Sequence, residues 1–192
     1  DNNFDPVADQ TVSTTTTDND VAGFTIAQTD GSTSVSETGT TDTFTIVLNA
    51  QPASDVVLTI TSSDTGEATV NSPLTFTPVN WNTPQTVTVT GVNDNIIDGT
   101  ITSTITVAVN DGSSDNNFDP VADQTVSATT TDNDLAGFTV VESGGSTTVA
   151  ETGTTDTFTV VLTAQPVSDV VLTITSSDTG EATVNSPLTF TN

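Results

Sequence analysis

The chain carries 25 Asp and Glu residues but no Lys, Arg or His, which gives a formal net charge of −25 over 192 residues. No side chain is therefore available to balance a carboxylate in a salt bridge, and compensation has to come from solvent cations. Two carboxylates about 4 Å apart repel by about 4 kcal/mol at an effective dielectric of about 20, so a cluster of several would rival the stability of a whole domain. A fold of this sequence has to keep its acids apart or hold a divalent cation among them.

The composition also limits the ways in which the fold can be stabilised. Apolar residues make up 32% of the chain, which indicates a thin core. Cys is absent, so disulfides and thiolate metal sites are excluded, and the absence of Lys excludes Lys-Asn isopeptide crosslinks. The remaining stabilising device is a hard cation bound through oxygen ligands.

Several classes of function are disfavoured by the same absences. The chain has no His base, no Cys or Lys nucleophile and no Tyr, so catalysis would have to use carboxylates alone. A polyanion such as nucleic acid, or an anionic membrane surface, would be repelled. No apolar run approaches 18 residues. We therefore expect a protein that is not an enzyme, binds no nucleic acid and inserts into no membrane.

The sequence repeats with an offset of 114 residues. Residues 1–78 and 115–192 are identical at 65 of the 78 aligned positions. This period is the size of an independent domain and exceeds the 20 to 50 residues of a solenoid repeat. The predicted organisation is the last strand of a preceding repeat at 1–17, a complete β-sandwich at 18–131, and strands A to D of the next repeat at 132–192.

Within a repeat, apolar and polar residues alternate strictly between clusters of Gly, Pro, Asn and Asp, and 46 of the residues are Thr. This pattern is typical of antiparallel strands with one buried face. The predicted strands are A at 23–29 with a continuation at 33–37, B at 43–50, C at 55–62, D around 68–77, E at 85–93, F at 100–110 and G at 124–131. A solitary G strand is also predicted at 8–17. The expected fold is all-β, with tandem immunoglobulin-like antiparallel β-sandwiches.

The acidic residues fall in the loops rather than in the strands. In an up-and-down order of strands, alternate loops lie at opposite ends of the sandwich. One end is expected to collect Glu37, Asp64, Glu67, Asp94, Asp98, Asp132 and Asp134. The opposite end is expected to collect Asp55, Asp111, Asp115, Asp119 and Asp123. Oxygen ligands converging from several loops suit Ca²⁺ better than Mg²⁺ or zinc, although Asp also populates turns through local hydrogen bonds alone.

Three motifs in this order resemble the Calx-beta domain family. They are residues 35–37 before strand B, residues 93–99 after strand E, and residues 132–138 at the end of strand G; residues 80–91 resemble the version found in tandem on bacterial surface proteins. The resemblance implies Ca²⁺ as the cofactor. In calcium-binding members the ligands come from the positions of Glu37, Asp94, Asp98, Asp132 and Asp134. It also implies half-sites at Asp18 and Asp20, from the preceding copy, and at Glu151, from the following one.

The sequence favours an extracellular structural role. The leading hypothesis is a calcium-stabilised tandem β-sandwich repeat of a secreted bacterial adhesin stalk or surface filament, with neighbouring repeats or identical chains as partners. One alternative is a self-assembling fibre subunit that is completed by strand exchange between chains. Another is a carbohydrate-binding module in which Trp81 stacks on a sugar at the cell surface, although a lone Trp in a sandwich more often closes the end of the core.

Overall fold

The computed structural model describes Asn3 and residues 7–192, and their regular structure consists of β-strands joined by turns and short 3₁₀ segments. The strands of the first repeat are β1 (Phe24–Gln28), β2 (Thr33–Ser36), β3 (Thr41–Leu48), β4 (Val56–Ser62), β5 (Ala68–Val70), β6 (Leu74–Phe76), β7 (Gln85–Gly91), β8 (Ile101–Val109) and β9 (Gln124–Thr131). Those of the second are β10 (Phe138–Glu142), β11 (Phe158–Leu162), β12 (Val170–Leu172) and β13 (Leu188–Phe190).

The first repeat is a sandwich of two sheets. One sheet has the order β1-β3-β7-β5 and the other has the order β2-β9-β8-β4-β6. All pairings are antiparallel except that of β2 with β9, which is parallel. The prediction of an all-β fold built on immunoglobulin-like antiparallel sandwiches is confirmed.

The core follows from the alternation of the strands, because every second residue points between the two sheets. Phe44, Leu58, Val89 and Val107 are fully buried, and they come from strands of both sheets. Phe118, which lies between β8 and β9, is only 2% exposed and closes one end of the core. Trp81 is half-buried and packs against the same core.

Strand D differs from its prediction as one strand at 68–77. The structure has two short strands there, with β5 paired to β7 in one sheet and β6 paired to β4 in the other. The crossing occurs at residues 71–73, where Pro73 has no backbone N–H to donate to a ladder. Here side-chain oxygens accept hydrogen bonds from the neighbouring strands in place of backbone carbonyls. The backbone N–H of Ile60 donates to Ser72 Oγ at 2.9 Å, and that of Thr88 donates to Asn71 Oδ1 at 2.6 Å.

The second repeat contains two separate two-stranded sheets, β10-β11 and β12-β13. Residues 147–150 and 182–184, which correspond to β2 and β5, form no strand. Residues 8–17, predicted as a solitary G strand, form no strand in the described part of the chain. Their assignment to a preceding repeat stays a prediction. Residues 1, 2 and 4–6, the first copy of the repeated motif, lie outside the described residues.

None of the described residues forms a helix of the length and apolarity that a membrane crossing needs.

Candidate metal centre

The acids converge at one end of the first sandwich because several strands begin or end there. The strands β2 and β9 run parallel, so they finish side by side. Glu37, directly after β2, donates its backbone N–H to the carbonyl of Thr131 at the end of β9, at 3.2 Å. The loop from β7 to β8, residues 92–100, and the turn from β4 to β5, residues 63–67, reach the same end.

Two groups of three carboxylates meet at this end. Glu37, Glu67 and Asp98 form one group, and Glu37, Asp94 and Asp134 form the other. Within each group one oxygen of every residue lies within 4.8 Å of the others, and Glu37 belongs to both. The structure therefore brings together four of the five ligands that the resemblance implies, namely Glu37, Asp94, Asp98 and Asp134.

Asp132, the fifth implied ligand, lies beside these groups and holds the loops in place. Its Oδ2 accepts a hydrogen bond from the backbone N–H of Gly99 at 2.9 Å, and its Oδ1 accepts one from Asp134 N–H at 2.6 Å. The hydrogen bond from Asp134, followed by that from Gly99, lowers the pKa of Asp132 below its usual range. Gly99 has φ +78°, a left-handed conformation that suits glycine. In the described geometry Asp132 positions the ligand loops, since both of its oxygens are engaged.

Two of the carboxylates are deeply buried. Glu37 is 1% exposed and Glu67 is 6% exposed. Burial raises the pKa of Glu37. The hydrogen bond from the Asn133 N–H lowers this pKa, and the neighbouring acids, led by Asp132, raise it. Burial, followed by repulsion from Asp98, raises the pKa of Glu67 from 4.5 to about 7. The end of the sandwich thus concentrates negative charge at a cost that the protein itself does not compensate.

Several buried carboxylate oxygens at this end have no hydrogen-bond partner among the described residues. They are Glu37 Oε1, Glu67 Oε2 and Asp134 Oδ2. Since buried polar atoms are almost always satisfied, three such oxygens at one end indicate a ligand that accepts their lone pairs. The chain has no basic side chain to serve this purpose. An oxygen-only set of irregular geometry fits Ca²⁺, and the absence of His and Cys does not fit zinc.

Glu67 is a candidate ligand that the family resemblance did not imply. Its position was predicted to lie at the acidic end, but it was not included among the ligands. In the sequence, Glu67 ends the turn at 62–67 and directly precedes a strand. The structure shows that the first residue of this strand, Ala68, is fully buried, and Glu67 is buried beside it. The Glu67 carbonyl accepts hydrogen bonds from Val92 N–H at 2.8 Å, directly after β7, and from Thr130 Oγ1 at 3.3 Å, on β9.

The three half-site residues belong to neither of the two carboxylate groups. Asp18 and Asp20 are exposed, and Asp20 N–H donates to Asp18 Oδ1 at 3.0 Å, the same turn that Asp132 and Asp134 form. Glu151 is exposed and lines a shallow cavity together with Glu181, the counterpart of Glu67. Their assignment as ligands stays a prediction.

The opposite end of the sandwich uses its buried acid differently. Asp115 is 7% exposed, but its carboxylate accepts hydrogen bonds from the backbone N–H groups of Ala53, Ser54 and Asn117 at 2.6, 3.1 and 3.0 Å. The hydrogen bond from Asn117, above all, lowers the pKa of Asp115. Asp115 thereby anchors the loop that inserts Phe118 into the core, with both of its oxygens accepting backbone hydrogen bonds.

The β7–β8 loop that supplies Asp94 and Asp98 also contacts the second repeat. The carbonyl of Asn95 accepts a hydrogen bond from Gln165 N–H at 2.6 Å, and Ile96 forms a parallel bridge with Gln165. Ile97 lines an apolar cavity with residues of the second repeat that include Phe138. One loop therefore joins the acidic centre to the junction between repeats.

No family model matches the sequence, and no curated protein matches it either. Among solved structures, the chain is similar to the apo-form Calx CBD1 domain, with 13% identity, coverage of 58% of this chain and 98% of that chain, and a TM-score of 0.41. The chain is also similar to CBD12 from CALX1.2, with 14% identity, coverage of 59% of this chain and 48% of that chain, and a TM-score of 0.41. A third similar structure is the E. coli chaperone DraB, with 6% identity, coverage of 62% of this chain and 59% of that chain, and a TM-score of 0.42.

Proposed function

We propose that this chain is a structural repeat of an extracellular surface stalk or filament, and that Ca²⁺ bound at the acidic end of each sandwich stabilises the repeat and its junction with the next. The observation that carries the proposal is the set of unpartnered buried oxygens of Glu37, Glu67 and Asp134. Glu37, Glu67, Asp94, Asp98 and Asp134 would hold the ion, with Asp132 positioning their loops.

The near-identity of the repeats supports a structural role. Copies that agree at 65 of 78 positions serve length and uniformity rather than distinct binding activities. The junction is short, because β9 ends at Thr131 and β10 begins at Phe138. The net charge of −25 and the oxygen-only set of carboxylates are compatible with an extracellular Ca²⁺ site.

The contact of the β7–β8 loop with the second repeat supports a role for the ion in rigidity. Asp94 and Asp98 flank Asn95, Ile96 and Ile97, which make the contact. An ion that fixes the two acids also fixes the segment between them. Small-angle scattering in Ca²⁺ and in EDTA is expected to show a narrower range of inter-repeat distances with the ion, and Ile97→Asp is expected to widen that range without loss of Ca²⁺ binding.

The calcium hypothesis is tested directly by thermal unfolding. A ligand that binds only the folded state at about 100 times its Kd stabilises it by about 2.7 kcal/mol. We expect the Tm to fall in EDTA and to return when Ca²⁺ is restored, with Mg²⁺ restoring much less because it demands regular octahedral geometry. An unfolding curve that is the same in Ca²⁺ and in EDTA would show the proposal to be wrong.

A further inference from the structure

Gly91, the last residue of β7, is the point at which the chain segments of the acidic centre meet. The loop that carries Asp94 and Asp98 begins directly after it. In the ladder between β5 and β7, Gly91 pairs with Ala68, and Ala68 directly follows Glu67. Two of the segments that supply carboxylates to the centre are therefore joined at this glycine.

The end of β2, which belongs to the other sheet, lies directly against the backbone of Gly91. A Cβ added to Gly91 would lie 2.1 Å from the carbonyl oxygen of Ser36 and 2.8 Å from its carbonyl carbon. Ser36 is the residue before Glu37. Gly91 is not among the glycines with positive φ, so the position requires the absence of a side chain rather than a special backbone conformation.

Hydrogen bonds hold the two strand ends together. The backbone N–H of Gly91 donates to the carbonyl of Thr40 at 3.0 Å, and that of Val92 donates to the carbonyl of Glu67 at 2.8 Å. The backbone N–H of Ser36 donates to Thr40 Oγ1 at 2.7 Å. Thr40 therefore joins the end of β2 to the end of β7, through its side chain on one side and its backbone on the other.

The closeness of β2 and β7 determines the spacing of the carboxylates. Glu37 belongs to both carboxylate groups, so its distance from the β7–β8 loop affects the size of each. A Cβ stays at least 3.0 Å from other atoms, so a side chain on Gly91 would push the two backbones apart by about 0.9 Å. A binding site needs its groups held within about 0.5 Å. A single added methyl group would therefore exceed this tolerance.

We propose that Gly91 is a positioning residue of the acidic centre, which by its lack of a side chain sets the distance of Glu37 from the β7–β8 loop and thereby selects a cation of the size of Ca²⁺. This inference rests on the proposed function, because it concerns the ion bound there. A wider spacing weakens the contacts to Ca²⁺, whereas the larger Sr²⁺ loses less. The Thr40 hydroxyl acts in the same direction, since it holds Ser36 against Gly91.

The test titrates the full, metal-free chain with Ca²⁺ and with Sr²⁺ by isothermal calorimetry. Gly91→Ala is expected to raise the Kd for Ca²⁺ at least about tenfold, as the loss of a group that supports metal ligands does. The Kd for Sr²⁺ should rise less, so that the preference for Ca²⁺ over Sr²⁺ falls. Gly112→Ala, at the opposite end of the sandwich, is the control. Its Cβ would meet Asn110 Oδ1 at 3.8 Å, an ordinary contact, and neither Kd should change.

A second variant changes the same spacing without a steric overlap. Thr40→Val removes the oxygen that accepts the Ser36 N–H and keeps the shape of an exposed side chain. It is expected to raise the Kd for Ca²⁺ about threefold, the equivalent of part of one hydrogen bond. Thr154→Val is the matched control, because Thr154 Oγ1 accepts the Ala150 N–H at 2.7 Å in the second repeat, away from the two carboxylate groups in sequence. This control should leave the Kd unchanged.

Unchanged constants in Gly91→Ala would overturn the proposal. Equal weakening for Ca²⁺ and Sr²⁺ would overturn it too, because a general loss of stability does not distinguish the two ions. If Gly91→Ala does not fold, Thr40→Val decides, and a Kd equal to that of Thr154→Val would overturn the proposal. A failure of the proposed function is seen separately, in the unsubstituted chain, which would then bind no Ca²⁺ and remove this inference as well.

Discussion

The two repeats contain almost the same A to D sequence in two different states. The first copy packs its inward residues in a closed sandwich, so that Phe24 is 3% exposed, whereas the second leaves Phe138 55% exposed. The registers of their paired strands are nevertheless the same. Register is thus set locally, by alternation and turns, while burial depends on strands that are distant in sequence.

The acidic residues of the two repeats also differ in burial. Glu37 and Glu67 are buried and meet acids from the β7–β8 loop and the end of β9. Glu151 and Glu181 occupy equivalent positions but stay exposed. A carboxylate at this position becomes buried among other acids only where β7 to β9 close the sandwich over it.

The largest expected difference concerns the core. Leu58 is fully buried and its counterpart Leu172 is half-buried. Leu58→Ala is expected to reduce the free energy of unfolding by about 2–5 kcal/mol, through the lost transfer energy and the cavity, whereas Leu172→Ala should cost less than about 1 kcal/mol. Chemical denaturation of both variants measures the difference. Equal losses would mean that the second copy is as well packed as the first.

The next difference concerns the metal centre. In saturating Ca²⁺, Glu37→Gln is expected to remove most of the stabilisation by the ion, about 3 kcal/mol. In EDTA the same change should be neutral or stabilising, because it removes an unpartnered buried charge. Glu151→Gln is the matched control.

That control should leave the Tm unchanged in both conditions, as measured by scanning calorimetry. If the two variants behaved alike in Ca²⁺, the ion would not distinguish a closed centre from an open one, and the hypothesis of a site at Glu37 would be wrong.

The sequence predicted the strands of the first repeat because alternation is a strong signal for a sandwich with one buried face. It did not predict that strand D changes sheets, which depends on side chains replacing ladder hydrogen bonds at Ser72 and Asn71. It also did not indicate that the second copy would lose the strands at 147–150 and 182–184. Those strands require β9 and β7, and no local pattern encodes a distant partner.

The order of the loops predicted that the acids meet at one end of the sandwich. It did not predict which of them accept backbone hydrogen bonds and which keep an oxygen without a partner. Asp132 and Asp134 look equivalent in sequence, yet Asp132 uses both oxygens on backbone N–H groups while Asp134 keeps one buried and unpartnered. Asp115 was predicted to lie at the opposite end, but its hydrogen bonds across 61 and 62 residues of sequence appear only in the folded chain. Such long-range hydrogen bonds distinguish Asp115 from the acids that keep a buried oxygen without a partner.

A smaller effect is expected from pH in the absence of metal. The folded-state pKa of Glu67 lies near 7, above its ordinary value of 4.5. Between these values Glu67 binds more protons in the folded than in the unfolded chain, so its contribution to stability is greatest below pH 4.5 and is lost as the pH rises through 7. Thermal unfolding in EDTA should show this decline, Glu67→Gln should flatten it, and Glu181→Gln should not. A profile that rises over this window in EDTA would contradict the burial of Glu67.

The smallest effect concerns a pair of hydrogen bonds to an Asp carboxylate that is present in both copies. Asp42 accepts hydrogen bonds from Ser34 N–H at 2.8 Å and Thr43 N–H at 2.6 Å, and Asp156 accepts them from Thr148 N–H at 2.9 Å and Thr157 N–H at 2.7 Å. Asp42→Asn is expected to lower the free energy of unfolding by about 0.5–1.5 kcal/mol, since its hydrogen bonds join β3 of one sheet to β2 of the other within the cooperative sandwich. Asp156→Asn should speed hydrogen exchange at Thr148 without moving the Tm, because residues 147–150 form no strand and their hydrogen bond to Asp156 is local to the second repeat. A Tm shift as large as that of Asp42→Asn would place the second copy within the same cooperative unit as the first.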